Sequence, residues 1–309
     1  NARSGSAELS VAESDESDGS FLLLNPSVAI VTNVEADHLD HWGSLEAIRD
    51  GFGRFFERVE PSGAIVVPTG DEGMARRAAD TRRTVITWGA GGDVEAQEVS
   101  LEPSASSFEL SWRSERHRVR LNVPGALNIW NALAAAGGCL AAGIAPAEVA
   151  RGLGAYRGVQ RRYEVRGYAG GVTVIDDYAH HPSEVSAILE TAAAGGWERV
   201  VAVFQPHRYS RTALQHGEFG DCFRGAHRVV VTDVYGAGEE PVPGVTGKLV
   251  ADSVCEGLPG RSVAYIPHRE ELLDYLAATA RPGDALLTLG AGDITSVGEE
   301  MLARLGEER

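Results

Sequence analysis

From Tyr163 to the C-terminus, apolar runs of strand length alternate with helical segments, and this rhythm constrains the fold more than any other feature. Strands are expected at 171–176, 199–204, 228–233, 262–266 and 284–289, and helices near 183–194, 212–224, 246–256, 269–280 and 295–305. Repeated βα units imply a mostly parallel, doubly wound sheet. Right-handed crossovers then gather the carboxyl ends of the strands on one edge. Asp176/Asp177, Gln205-Pro206-His207-Arg208, Asp233-Val234-Tyr235 and Gly290-Ala291-Gly292-Asp293 share that edge. In open α/β sheets, ligands bind there.

The densest of these turns is Asp176-Asp177-Tyr178-Ala179-His180-His181-Pro182-Ser183-Glu184. Pro182 and Ser183 open the following helix, because Pro at the first helical position and a small polar residue beside it suit a helix start. Two acids, a Tyr and two His are thus crowded into one strand-to-helix turn. The turn admits two readings, a binding site or a polar turn whose Asp and His cap the helix.

The N-terminal half has a different texture. Residues 1–20 are polar and acidic, and read either as a solvated tail or, over Ala7 to Ala12, as a short strand. Ser27 to Val34 is a buried strand by its apolar run. It leads into Glu35-Ala36-Asp37-His38-Leu39-Asp40-His41. A helix from about Ser44 to Val59 carries Ile48, Phe52, Phe55, Phe56 and Val59 on one face. Short strands follow at 64–67 and 84–88, separated by a basic helix over 71–80. Alternating Phe108/Leu110/Trp112 and Val119/Leu121/Val123 point to a hairpin within an antiparallel section from Ala90 to Val123. Helices are expected at 128–142 and 146–153. Gly154 to Gly158 separates two domains, 1–157 and 158–309.

Composition removes several function classes. A net charge of −16 argues against nucleic acid, since gripping a phosphate backbone takes a positive footprint. Lys248 is the only lysine, so no Gly-Lys-Ser/Thr phosphate loop occurs in these 309 residues. No apolar run approaches the ~20 residues of a membrane span. Cys139, Cys222 and Cys255 are widely spaced and suggest neither a disulfide framework nor a metal pair.

Taken singly, the remaining constellations are ambiguous. His38 and its neighbouring acids suit a divalent cation or a capped turn. Asn128 and Asn131 lie one helical turn apart, as a ligand-facing pair or as caps. Arg161-Arg162-Tyr163-Glu164 reads as a solvated hinge. Arg208 and Arg211, three residues apart beyond a strand, suit bidentate capture of a carboxylate or an ordinary surface.

In this order, the segments resemble the Mur ligases, which join amino acids to UDP-N-acetylmuramate precursors of peptidoglycan. Glu13 to Phe21, Thr32 to Asp40 and Asn128-Ile129-Trp130-Asn131-Ala132 are similar to that family's central ATPase domain. Asp176 to Glu184, Phe204 to Thr212 and Tyr235-Gly236-Ala237-Gly238-Glu239 are similar to its Rossmann-like C-terminal domain. Asp-Asp-Tyr-Ala-His-His-Pro and Phe-Gln-Pro-His-Arg-Tyr resemble the branch that adds L-alanine. The resemblance implies a cytoplasmic enzyme using ATP, Mg2+, UDP-N-acetylmuramate and L-alanine, with an acyl phosphate attacked by the amine of alanine. Position by position it implies Glu13 and His38 as magnesium ligands and Asn128 and Asn131 at adenine. Arg162 and Asp177 would lie near the nucleotide, and Tyr178, His180, Arg208 and Arg211 around the alanine, with His180 as a candidate proton acceptor.

The family's UDP-binding domain and lysine-bearing phosphate loop have no counterpart in these residues, so the central domain is expected to be N-terminally incomplete and the chain alone inactive. The absence of a lysine from Leu45 to Phe56, where sibling ligases carry a carbamylated one, agrees with the alanine-adding branch. Three rivals stand beside this reading: a tripeptide ligase of cell-wall recycling, a non-catalytic nucleotide-binding fragment, and a metal-dependent hydrolase built from His38, His41, His180 and His181.

Overall fold

A computed structural model describes residues 9–307, apart from the side chains of Asp40 and Glu307. The chain folds into two compact units. One comprises the residues up to Val99, Phe108–Val119 and Ile129–Leu153; the other comprises Ser100–Ser107, Arg120–Asn128 and everything from Gly154 onward.

The first unit is organised on strands β1 (Val28–Ile30), β2 (Ala64–Pro68) and β3 (Thr84–Trp88), which run parallel in that order. Between β1 and β2 lie a single turn α1 (Leu39–Trp42) and the amphipathic α2 (Leu45–Glu57); α3 (Glu72–Asp80) connects β2 to β3. Helix α2 begins where Ser44 accepts the N–H of Ala47, and α3 where Asp71 accepts that of Met74. Ala29, Val31, Phe56, Val59, Ile65, Val67, Met74 and Ala78 make the core beneath them. The strands β4 (Val94–Glu102), β5 (Ala105–Trp112) and β6 (Glu115–Leu121) extend this sheet to six strands in sequence order. Where the sequence suggests one hairpin, there are three successive strands.

Helix α4 (Ala126–Ala141) lies against the parallel strands because Gly137 and Gly138 leave room for them. A β-carbon on Gly137 would stand 2.6 Å from Val66 Cγ1, and one on Gly138 would stand 2.2 Å from Ile30 Cδ1. Helix α5 (Pro146–Ala155) follows.

The expected strand over Ser27 to Val34 shortens to three residues. Beyond Val31, whose N–H still reaches Val66 O, Thr32 and Asn33 are exposed and turn to local side-chain hydrogen bonds instead. No strand forms over residues 9–12 of the acidic segment; Ala7 and Glu8 lie outside the described residues. The segment instead ends in a 3₁₀ turn at Ser20–Leu23. There Phe21 is buried against Phe52, Phe55 and Trp42, while Trp42 Nε1 donates to Glu16 O at 2.7 Å.

The second unit is the doubly wound sheet. Its strands are β7 (Glu164–Ala169), β8 (Val172–Asp177), β9 (Arg199–Phe204), β10 (Arg228–Val231), β11 (Ser262–Tyr265) and β12 (Asp284–Leu289), in the order β11-β10-β9-β12-β8-β7. Every pairing is parallel except β7 with β8. Helices α6 (Pro182–Ala193), α7 (Tyr209–Gln215), α8 (Gly247–Gly257) and α9 (Arg269–Thr279) make the crossovers, and α10 (Thr295–Glu307) follows β12. Two apolar clusters form, one around Ile175, Leu189, Phe204 and Phe223, the other around Val174, Val203, Leu276 and Met301. Burial on both faces explains why β8, β9 and β12 read as continuous apolar runs.

Two features depart from the sequence reading. The edge strand β7 is unexpected, since its Val165 and Tyr168 are both exposed and carry no core signal. The helix expected over 212–224 starts earlier, at Tyr209, and gives way after Gln215 to a 3₁₀ turn at His216–Phe219. Gly217 and Gly220 weaken the helix there.

Candidate active site

In the second unit, the carboxyl ends of β8, β9, β10 and β12 bring the polar turns together as the topology requires. At the end of β8, Asp176 and Asp177 are both buried. Asp176 accepts the hydroxyls of Thr288 (2.6 Å) and Thr295 (2.8 Å) and the Arg161 Nε–H (3.2 Å). Asp177 accepts the backbone N–H groups of Tyr163 (2.7 Å) and Ala179 (2.8 Å). Burial nevertheless raises its pKa to about 6, because those two donors only partly replace lost water. The acid expected near the nucleotide thus has both oxygens engaged by the backbone on either side of it.

Next in the turn, Tyr178 is half-buried. Two guanidiniums sit against its ring, Arg161 at 4.9 Å and Arg162 at 5.5 Å from the centroid. Arg162 is mostly exposed and lies 3.7 Å from Glu184. Glu184, in the first turn of α6, accepts the N–H groups of His180 (3.0 Å) and His181 (3.2 Å) through one oxygen. The turn thus caps its helix, as one of the two readings expects, and also presents a cluster of rings.

That cluster is centred on His180. Its ring meets Tyr178 edge-on at 5.4 Å and lies 4.7 Å from His181 and 5.6 Å from His207. Nδ1 is 3.0 Å from Tyr178 O, so this nitrogen carries the hydrogen and Nε2 the lone pair. Burial, opposed by Glu184, lowers the His180 pKa to about 4. His207 is lowered to about 4 by burial, reinforced by His180, Arg211 and Arg208. Both imidazoles are therefore neutral at pH 7.

His207 belongs to the turn after β9. It stacks on Tyr235, 5.8 Å away and nearly coplanar in orientation, and Nδ1 accepts from Arg211 at 3.4 Å. Arg208, exposed, adopts a left-handed backbone (φ 68°), its N–H bound to Tyr235 O at 2.8 Å. Glu239 accepts both the N–H and the hydroxyl of Ser210, which anchors the start of α7. Tyr178, His180, Arg208 and Arg211 thus occupy consecutive turns on one edge, joined by His207 and Tyr235, to which the sequence reading gives no role. Their signal is topological: both follow apolar strands and face the same edge. Asp233 and Asp293, on the same edge, have structural duties; Asp233 accepts the N–H of Gly247 at the start of α8, and Asp293 accepts from Gln205.

In the first unit the expected ligand residues are less constrained. Glu13 is exposed and lies outside any regular element. His38 has a left-handed backbone (φ 51°) at the start of α1, and Nε2 lies 3.4 Å from Asp37 Oδ2. Among the described residues, no group of three or more His, Cys, Asp or Glu side chains could hold a metal ion. Mg2+ takes oxygen ligands, typically one or two carboxylates, and fills its octahedron with water and phosphate oxygens, whereas an imidazole is a softer ligand more usual on zinc. On α4, Asn131 is exposed; Asn128, the last residue of that helix in the second unit, donates from Nδ2 to Pro124 O at 2.7 Å.

Two α/β units of this construction, with a polar edge closing the second, define the class. The Mur ligase middle domain matches residues 2–139, and the Mur ligase glutamate ligase domain matches residues 161–292. The chain belongs to the Mur ligase family. It is 46% identical over 306 residues to the UDP-N-acetylmuramate–L-alanine ligase of Rubrobacter xylanophilus, covering 97% of this chain and 67% of that one. It is 47% identical to the enzyme of the same name from Kineococcus radiotolerans, covering 99% and 65%. The crystal structure of UDP-N-acetylmuramate–alanine ligase from Thermotoga maritima superposes with a TM-score of 0.78 at 28% identity, covering 96% of this chain and 63% of that one. The chain therefore spans about two thirds of the length of the relatives it matches.

Proposed function

We propose that these residues form the nucleotide- and alanine-facing parts of an ATP-dependent ligase that joins L-alanine to UDP-N-acetylmuramate in the cytoplasm, in peptidoglycan synthesis. The observation that carries the reading is the convergence of Tyr178, His180, His207, Arg208 and Arg211 on one sheet edge, with the motifs of the alanine-adding branch. The muramate carboxylate attacks the γ-phosphorus of ATP and ADP leaves. The alanine nitrogen then attacks the acyl carbon, phosphate leaves, and the amine proton passes to that phosphate or to water.

Each residue has a task in that sequence. Arg208 and Arg211 hold the alanine carboxylate, a group guanidinium pairs with well. Tyr178 and the neutral rings of His180 and His207 wall the amine side. His180 presents a lone pair at Nε2, but a base of pKa near 4 exerts little pull on an ammonium proton. It therefore serves as the acceptor that orients an amine already neutral. Asn128 and Asn131 offer paired donor and acceptor groups to adenine, and Arg162 approaches the nucleotide. Asp177 keeps the strand-end backbone beside that nucleotide in place. Glu13 and His38 would hold Mg2+, which supplies charge neutralisation between the phosphates and the incoming carboxylate.

Lys248 is the only lysine, and no Gly-Lys-Ser/Thr loop occurs in these residues. The 309-residue chain by itself is accordingly expected to turn over no ATP. The test is phosphate release by the natural polypeptide containing these residues, given ATP, Mg2+ and UDP-N-acetylmuramate. L-Alanine and the L-Ala-D-Glu-diaminopimelate tripeptide are supplied in parallel. Release only with L-alanine supports the reading. Release only with the tripeptide transfers the chain to cell-wall recycling, and release with neither withdraws the enzyme claim.

A further inference from the structure

We propose that Arg161 is a positioning residue of the ligase site, whose guanidinium ties the 159–163 turn to buried Asp176 and to the β12 loop, fixing the surfaces that Tyr178 and Arg162 present to the substrates. The inference rests on the ligase reading above and adds a residue to which that reading gives no role.

The backbone at this position is unusual for a residue with a side chain. Arg161 has φ 59° and Tyr163 φ 48°. L-residues avoid this region because the β-carbon crowds the chain, and it persists where surrounding contacts over-determine it. Those contacts are present. Arg161 N–H donates to Glu164 Oε2 at 2.8 Å, Arg161 O accepts from Tyr178 N at 2.8 Å, and Tyr163 N–H donates to Asp177. The turn is thus stitched to the first residues after β8.

The side chain completes the arrangement. Nε donates to Asp176 at 3.2 Å, and Nη2 donates to Gly290 O at 2.6 Å and Gly292 O at 3.2 Å. Asp176 is fully buried, and Thr288 and Thr295 supply its other donors. A buried carboxylate needs such partners, and Arg161 is its cationic one. The Gly290–Gly292 loop is in turn wedged against the neighbouring strand ends. A β-carbon on Gly292 would stand 2.4 Å from Gln205 Oε1 and 2.5 Å from the Tyr235 ring. Tyr235 stacks on His207, and His207 meets His180. A continuous series of contacts therefore runs from Arg161 to the rings assigned to the amine side, while its guanidinium shares the Tyr178 ring with Arg162. A lysine would keep the charge but could not span a carboxylate and two carbonyls with one ammonium group.

The experiment measures kcat and KM for ATP and L-alanine in the natural polypeptide, for Arg161→Gly and Arg161→Lys. Glycine keeps the left-handed backbone and deletes the guanidinium; lysine keeps the charge and loses the fork. Misplacing reacting groups by about an ångström costs on the order of 100-fold, so kcat/KM for both substrates should fall about 10- to 100-fold in each variant. Added methylguanidinium at millimolar concentration should restore part of the loss in the glycine variant and none in the lysine variant. Should Arg161→Gly fail to fold, the lysine variant decides alone. Wild-type kinetics in either variant overturn the proposal, as does a loss in the glycine variant that methylguanidinium does not reduce. If the unaltered enzyme shows no alanine-dependent phosphate release, the ligase reading fails instead, and the two failures are distinguishable.

Discussion

The two units handle their candidate residues in opposite ways. On the edge of the second, the polar groups are interlocked: Asp176 and Asp177 are buried with their oxygens engaged, and the rings of His180, His207, Tyr178 and Tyr235 touch in series. In the first, Glu13 and Asn131 are exposed and His38 is half-buried beside Asp37. On the proposed function the second unit's edge would gain from rigidity, because alanine offers few atoms with which to organise its own pocket. A site completed by phosphates and a cation needs less from the protein, since the ligands bring the charge. The contrast predicts that substitutions in the second unit cost stability along with activity, whereas those in the first cost activity alone.

The largest effect tests the carboxylate contact. Arg211→Ala should raise the KM for L-alanine about 100-fold, the loss of a charge-assisted bond of up to about 3 kcal/mol. An unchanged KM in steady-state assays would remove Arg211 from the substrate. Second, Asp177→Asn places an amide NH2 against one of two backbone N–H donors. We expect a destabilisation of about 1–3 kcal/mol in urea unfolding; a neutral outcome would break the comparison at one of its two buried acids.

Third, His38→Ala should raise the Mg2+ concentration needed for half-maximal activity about tenfold, with stability within about 0.5 kcal/mol of the parent. A large drop in unfolding temperature would make His38 structural and erase the distinction between the units.

The smallest effect is pH dependence. His180 and His207 have folded-state pKa values near 4 against an ordinary 6.5. Their contribution is complete above about pH 6.5 and is lost as pH falls towards 4. Asp177 runs the other way: its pKa is raised from 3.8 to about 6, so its contribution is complete below about pH 3.8 and is lost as pH rises through 6. With two groups against one, acidification from pH 6.5 to 4.5 should lower the urea midpoint modestly. Asp177→Asn should steepen that fall and His180→Gln should flatten it; a midpoint that rises on acidification would contradict the assignment.

Much of this architecture is legible in the chain because the second unit obeys simple rules. Continuous apolar runs at β8, β9 and β12 mark strands buried on both faces, and handedness then gathers their carboxyl ends. What escapes is set by tertiary context. Strand β7 shows its apolar residues to solvent, so no periodicity marks it. The start of α7 follows a left-handed Arg208, a conformation that residue type does not announce. Arg161 reads as a solvated hinge because its partner Asp176 lies fifteen positions away in sequence, and only the fold brings the two within bonding distance. Asp177, conversely, is readable as an acid at the right edge, but nothing in the sequence says that both its oxygens are taken by the backbone.

Trp42, finally, gives the first unit an optical handle. Its indole N–H holds Glu16 O at 2.7 Å, only three residues from Glu13, and its ring adjoins His41 at 5.1 Å and Phe21 at 6.2 Å. Indole emission responds to the polarity and quenching groups around it. With the four other tryptophans, at 88, 112, 130 and 197, replaced by phenylalanine, the fluorescence of this one residue would report, in real time and without an added dye, any change in the packing of the acidic segment against the α1 turn.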